Sequence, residues 1–129
     1  MSTEIKSDRA PKPVGLYPHA RKVGNTLYMS GVGPRTPGSD EIPKTFEEQC
    51  HSVFKNVRII LEDSGSSWDQ LVDVTVYLTN MAKDFDTYNR IYAEYFKNNR
   101  PCRTTLGITS LPTPISIELK CIATIGEKA

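Results

Sequence analysis

Cysteine is scarce in this chain, and its three copies stand apart. Cys50, Cys102 and Cys121 have no metal-type spacing and cannot all pair with one another. A disulfide framework is excluded as the organising device, and a reduced, cytoplasmic protein is expected. No His/Cys/carboxylate set has the spacing of a metal site, so no metal is expected. Long apolar runs are also missing; none could span a bilayer. The polar stretch Met1 to Lys12 has no apolar signal core, and export is not expected. Charge of one sign is absent too. Sixteen Lys and Arg stand against fifteen Asp and Glu, a formal +1. Nucleic acid and anionic membrane would each favour a larger basic excess, so neither is expected as a partner. Gly31-Val32-Gly33 is too short and wrongly placed for a phosphate loop. There are no internal repeats.

What remains is an ordinary globular composition. At 129 residues, with 24% charged and 38% apolar side chains, the chain suits one domain. Residues 1–13, rich in charge and proline, read as a flexible arm, and 14–126 as the domain. An extended segment up to Val23, a turn at Gly24-Asn25 and the alternation around Leu27 and Met29 predict a hairpin. Thr45 with Glu48 three residues on predicts a capped helix, and Phe46, Cys50, Val53, Val57, Ile60 and Leu61 form its apolar stripe. Val72, Val74, Val76 and Leu78 alternate with polar residues as a strand. A second helix is expected from Asp84 to Asn98, striped by Phe85, Tyr88, Ile91, Tyr92, Tyr95 and Phe96. The order is β-β-α-β-α-β-β, with room for a small extra strand. The fold class is α+β: a mixed sheet with two helices packed on one face.

The two last strands carry the candidate chemistry. Read at strand period, 102–109 places Arg103 and Thr105 opposite Thr104, Leu106 and Ile108, and 115–123 places Glu118 opposite Ile117 and Leu119. Both Arg103 and Glu118 are expected to point away from the core. If the strands fold back at Leu111-Pro112, the two side chains lie about 10 Å apart along the sheet. Arginine offers a planar fork to a carboxylate, and a nearby glutamate can hold a water. The pair suggests hydrolysis of a small acid. The plain alternative for Glu118 is a salt bridge to Arg103.

The chain resembles a known family in the order of several motifs. These are Gly15-Leu16-Tyr17-Pro18-His19-Ala20, Leu27-Tyr28-Met29-Ser30-Gly31, Asp73-Val74-Thr75-Val76-Tyr77-Leu78, Tyr88-Asn89-Arg90-Ile91-Tyr92, Pro101-Cys102-Arg103 and Ile117-Glu118. They match the Rid (RidA/YjgF) family of enamine/imine deaminases, from Ala10 to Ile125. The resemblance implies a YjgF/chorismate-mutase-like fold, a homotrimeric barrel with active sites between subunits, a small carboxylate-bearing substrate, and no cofactor. By position it implies Arg103 and Glu118 as catalytic residues, one gripping the substrate carboxylate and the other orienting water. Tyr17, Ser30, Gly31, Asn89 and Thr105 resemble substrate-binding positions, with Thr105 standing where many members have cysteine.

Tyr17-Pro18-His19, Ser30-Gly31-Val32-Gly33-Pro34-Arg35 and Leu111-Pro112-Thr113-Pro114 resemble the 2-aminomuconate deaminase branch. That implies a dicarboxylic enamine, converted to 4-oxalocrotonate (2-hydroxymuconate) plus ammonia. His19 and Arg35 are the added donors near the cleft mouth that a second carboxylate would want. Each also has a plain alternative, His19 as partner of a backbone group and Arg35 as a solvated loop residue. Two other functions stay open: a broad 2-imino acid deaminase acting on 2-aminoacrylate, and a non-enzymatic ligand-binding or chaperone-like trimer.

Overall fold

A computed structural model describes residues 2–126 as one mixed sheet backed by two helices. The strands are β1 (Ser2–Ile5), β2 (Ala20–Val23), β3 (Thr26–Met29), β4 (Leu71–Leu78), β5 (Cys102–Gly107) and β6 (Ile117–Thr124). Helix α1 is Phe46–Asp63 and α2 is Met81–Tyr95. The sheet runs β1-β2-β3-β6-β4-β5. Among the described residues only β4 and β5 pair in parallel, as a strand–helix–strand crossover through α2 requires.

Local chemistry explains the elements. Thr45 and Glu48 close a reciprocal capping box at the start of α1. Gly65, at φ 81°, ends the helix in the left-handed region. Helix α2 starts earlier than the apolar pattern suggests, because the Asn80 side chain accepts from the Lys83 amide and caps it there. The core lies between the helices and one sheet face, with Val53, Phe54, Val57, Val74, Val76, Ile117 and Leu119 at most 1% exposed. Phe54, absent from the apolar stripe read in the sequence, is the hub of an aromatic cluster with Trp68, Tyr88, Tyr92, Tyr95 and Phe96.

Two expectations are corrected. The segment read as a flexible arm contains β1, the small extra strand. Ser2, Thr3 and Glu4 are exposed and Ile5 is half-buried against the core, and antiparallel pairing from Ser2↔Val23 to Ile5↔Ala20 satisfies the backbone, which an inventory of charge and proline does not register. The fold-back of the last two strands is also wrong. β4 lies between β5 and β6, pairing with β5 in parallel and β6 antiparallel, so the segment around Pro112 crosses a strand instead of closing a hairpin.

Candidate functional site

Alternation along β6 buries Ile117 and Leu119 against the helices and turns Glu118 to the other, open face of the sheet. Its carboxyl lies against the bare backbone of Gly31: a Cβ built there would come 2.7 Å from Glu118 Oε2. The Gly31 segment is held beside β6 by reciprocal Val32–Leu119 backbone bonds of 2.7 and 2.9 Å. Ser30 secures the other side, its hydroxyl donating to Pro18 O at 2.7 Å and its amide to His19 O at 3.0 Å. Burial raises the Glu118 pKa, and Lys120, two residues along the same face, offsets part of that rise. The Lys120 ammonium is itself anchored, donating to Met29 O at 2.7 Å.

Five of the predicted site residues line one cleft: Tyr17, His19, Ser30, Gly31 and Arg35. Their availability differs. Tyr17 is 41% exposed, and its hydroxyl accepts from the Val14 amide. His19 is buried, with Nδ1 accepting from the Ser7 amide at 3.0 Å and Nε2 donating to Pro11 O at 2.8 Å. Both ring nitrogens are spent on backbone, so the expectation that His19 offers a free donor to substrate is corrected in favour of its plain alternative. Arg35 is bound to Asp40 at 3.0 Å and to Lys12 O at 2.5 Å, and so is not simply solvated.

Arg103 is not beside Glu118. Register pairs Arg103 with Val74, and Val74 with Cys121, both fully buried on the helix side. Register pairs Glu118 with Tyr77, and Tyr77 with Leu106, on the open side. The expectation that both point away from the core is therefore wrong for Arg103, which turns under α2 and places its guanidinium over the Tyr92 ring, 4.7 Å from the centroid. The apolar look of Leu106 and Ile108 suggested the opposite face, but the pairing of β5 with Val74, Val76 and Leu78 decides it. Thr105 shares Arg103's face, with its Oγ1 buried and unpartnered. Asn89 is exposed on α2, between Phe85 and Tyr92 at i, i+4, i+7 spacing, and so borders the Arg103 group. The predicted residues thus fall into two groups: Tyr17, Ser30, Gly31 and Arg35, which Glu118 joins through its contact with Gly31, and Asn89, Arg103 and Thr105.

The sequence reading missed the residues that support the first group. Gln49, Asn56 and Asp63 recur at seven-residue spacing along α1. Gln49 donates to Pro43 O and accepts from the Ser116 amide just before β6. Asn56 donates to Gly33 O and Arg35 O, pinning the segment after Gly31. Asp63 accepts from the Ser7 hydroxyl at 2.6 Å and from Arg9 Nη2 at 2.6 Å, which holds the N-terminal segment over the cleft. The signal was present as a polar row flanking the apolar stripe of α1.

Among the described residues no His/Cys/carboxylate group could hold a metal ion, and no helix is long and apolar enough to cross a membrane. The family model described as Endoribonuclease L-PSP matches residues 7–125. A RutC family protein of Pyrococcus abyssi is 40% identical over 120 residues, 92% of this chain and 94% of that one. Reactive Intermediate Deaminase A, chloroplastic, of Arabidopsis thaliana is 36% identical over 122 residues, 94% of this chain and 65% of that one. The crystal structure of E. coli TdcF with bound serine superposes with a TM-score of 0.90 at 28% identity, covering 96% of this chain and 99% of that one. With the fold, the order of motifs and the match over nearly its whole length, the chain belongs to the RidA/YjgF (Rid) family, the family of the Endoribonuclease L-PSP model.

Proposed function

We propose that this chain is a cofactor-independent hydrolytic deaminase of small enamine or imine acids. It works as a homotrimer in which Arg103 of one subunit faces Glu118 of its neighbour. The observation that carries this reading is the placement of the two residues on opposite faces of one sheet, with Arg103 on the edge strand β5. A single subunit cannot bring them to one substrate, whereas the edge of one sheet packed on the open face of another can. That open face leaves Val23, Tyr28 and Leu106 between 42% and 47% exposed, an apolar surface suited to a partner copy. The name of the Arabidopsis relative and the amino acid in the TdcF structure point the same way: a carboxylate-bearing substrate with nitrogen on the adjacent carbon.

The chemistry follows from the two half-sites. The enamine tautomerises to an imine, and Arg103 anchors its carboxylate. Glu118, in its carboxylate form, accepts a proton from water as the oxygen bonds to the C=N carbon and the π electrons move to nitrogen. Glu118 returns that proton to the nitrogen, giving the carbinolamine; its hydroxyl proton then passes through the carboxylate to the nitrogen as the C–N bond breaks, so that ammonia leaves and the oxo acid remains. The imine is intrinsically reactive, so position supplies most of the acceleration. The small net charge of +1 supports this reading over the ribonuclease activity in the family model's description. Free cysteines, two of them buried, suit the cytoplasm.

For the substrate we propose 2-aminomuconate, on the strength of the branch-like motifs around Tyr17 and Arg35. A broad 2-imino acid deaminase is the second reading, favoured by the engagement of both His19 nitrogens. Ammonia release from enzymatically generated 2-aminomuconate, measured beside 2-aminoacrylate, separates them. Preference for the dicarboxylic enamine supports the first, equal or lower rates on it support the second, and release from neither removes the deaminase reading.

A further inference from the structure

An arginine turned under a helix ordinarily meets a carboxylate. Arg103 does not: among the described residues no hydrogen bond or ion pair engages its guanidinium. It meets aromatic faces instead. Cζ stands 4.7 Å from the ring centroid of Tyr92, 5.6 Å from Tyr88 and 5.9 Å from Phe85. Tyr88 is fully buried, and the three residues follow one another along the sheet-facing side of α2. The hydroxyls of Tyr88, Tyr92 and Thr105 are buried without partners in the same region.

We propose that Phe85, Tyr88 and Tyr92 form a cradle that positions Arg103 for substrate without occupying its donors, with Tyr92 as the principal positioning residue. The inference rests on the proposed role of Arg103 as carboxylate anchor. A resident aspartate or glutamate would hold the guanidinium still but would also compete with the substrate carboxylate for the same fork. Ring faces attract the cation through their quadrupole and restrict its plane by stacking, yet accept none of the in-plane N–H bonds. The fork therefore stays free and pre-aimed at the edge of β5, and the ordering cost is met before the ligand arrives.

The test keeps the shape of the ring and changes only its charge distribution. Tyr92→Phe, which retains ring and face, is the reference point of the series. Progressive fluorination of a phenylalanine placed at position 92 should raise KM stepwise, to roughly 3- to 30-fold, the span of a desolvated cation–π contact, with kcat little changed. Calorimetric binding of pyruvate, a 2-oxo acid of the product class, should weaken in parallel. A fluorination series flat in both KM and pyruvate affinity overturns the cradle. Arg103→Ala in the same pyruvate assay isolates the underlying reading: if it binds as tightly as the unaltered protein, the anchor role of Arg103 fails. If it loses binding while the fluorinated series is unmoved, only the cradle fails.

Discussion

Glu118 and Gly31 are in contact so close that no side chain larger than hydrogen fits between them, a Cβ at Gly31 falling 2.7 Å from the carboxyl oxygen. The glycine is therefore not a turn residue here; its φ lies outside the left-handed region. It is the floor against which the proposed general base rests, and the antiparallel Val32–Leu119 bonds keep that floor beside β6.

Gly31→Ala should separate folding from activity. The obstacle to the new methyl is the far end of a flexible side chain, so Glu118 can swing aside at a cost of about 1 kcal/mol or less, the ordinary range for a tolerated substitution. The swing removes the carboxylate from its place, and a displacement near 1 Å can cost on the order of 10²-fold in rate. Thermal unfolding and single-turnover ammonia release on the same preparation check this. Equal losses of stability and activity would contradict it.

Glu118→Gln should lower turnover by roughly 10²- to 10⁴-fold, the range for loss of a general base. The pH dependence gives an independent reading. Burial raises the folded pKa of Glu118, so activity on the acid side should fall away above the ordinary glutamate range as the carboxylate takes up its proton. The same shift has a stability sign. What Glu118 adds to folding is complete below the ordinary glutamate value and is lost as pH rises through the raised one. Glutamine, neutral throughout, should be no less stable than glutamate at neutral pH. If Glu118 served only as a salt-bridge partner, the variant would be destabilised and its folded fraction fully active.

Asp63→Asn should loosen the N-terminal segment without melting the domain. Asp63 takes hydrogen bonds from Arg9 and from Ser7, and Arg9 first and Ser7 second lower its pKa. Stability from this group is present above the ordinary aspartate value and lost as pH falls through the lowered one. The Arg9 pair is half exposed and worth little alone, but the Ser7 hydroxyl it helps fix also receives the Ala10 amide. Hydrogen exchange should accelerate several-fold in residues 3–10 and stay unchanged in β4 and β6. Exchange spread evenly over the chain would argue against a local clasp.

Much of the fold was legible because it rests on short-range chemistry. The capping box at Thr45, the Gly24-Asn25 turn and the alternation of Val72 to Leu78 each declare an element within a few residues. The hidden parts depend on pairing between distant segments. Whether β5 lies next to β6 or beyond β4 is decided by the crossover through α2, and that placement reversed the face assigned to Arg103. Likewise β1 has little apolar character of its own and is recognisable only through its partner β2. Of the site, Glu118 and the Gly31 segment followed from alternation and motif order. The engagement of His19 by Ser7 and Pro11 did not, since a histidine that serves backbone groups looks in sequence like one that serves a ligand.

The most direct measurement of the proposed composite site is complementation between two inactive variants. Arg103→Ala and Glu118→Gln, each nearly inactive alone, are co-expressed in equal amounts with different affinity tags, and trimers carrying both tags are assayed for ammonia release. If each site joins Arg103 of one subunit to Glu118 of the next around a cyclic trimer, every mixed trimer contains one intact site. About one third of the activity of the unaltered trimer should then return. If both residues served a substrate within one subunit, no site would be intact, and mixed trimers as inactive as the parent variants would contradict the inter-subunit site.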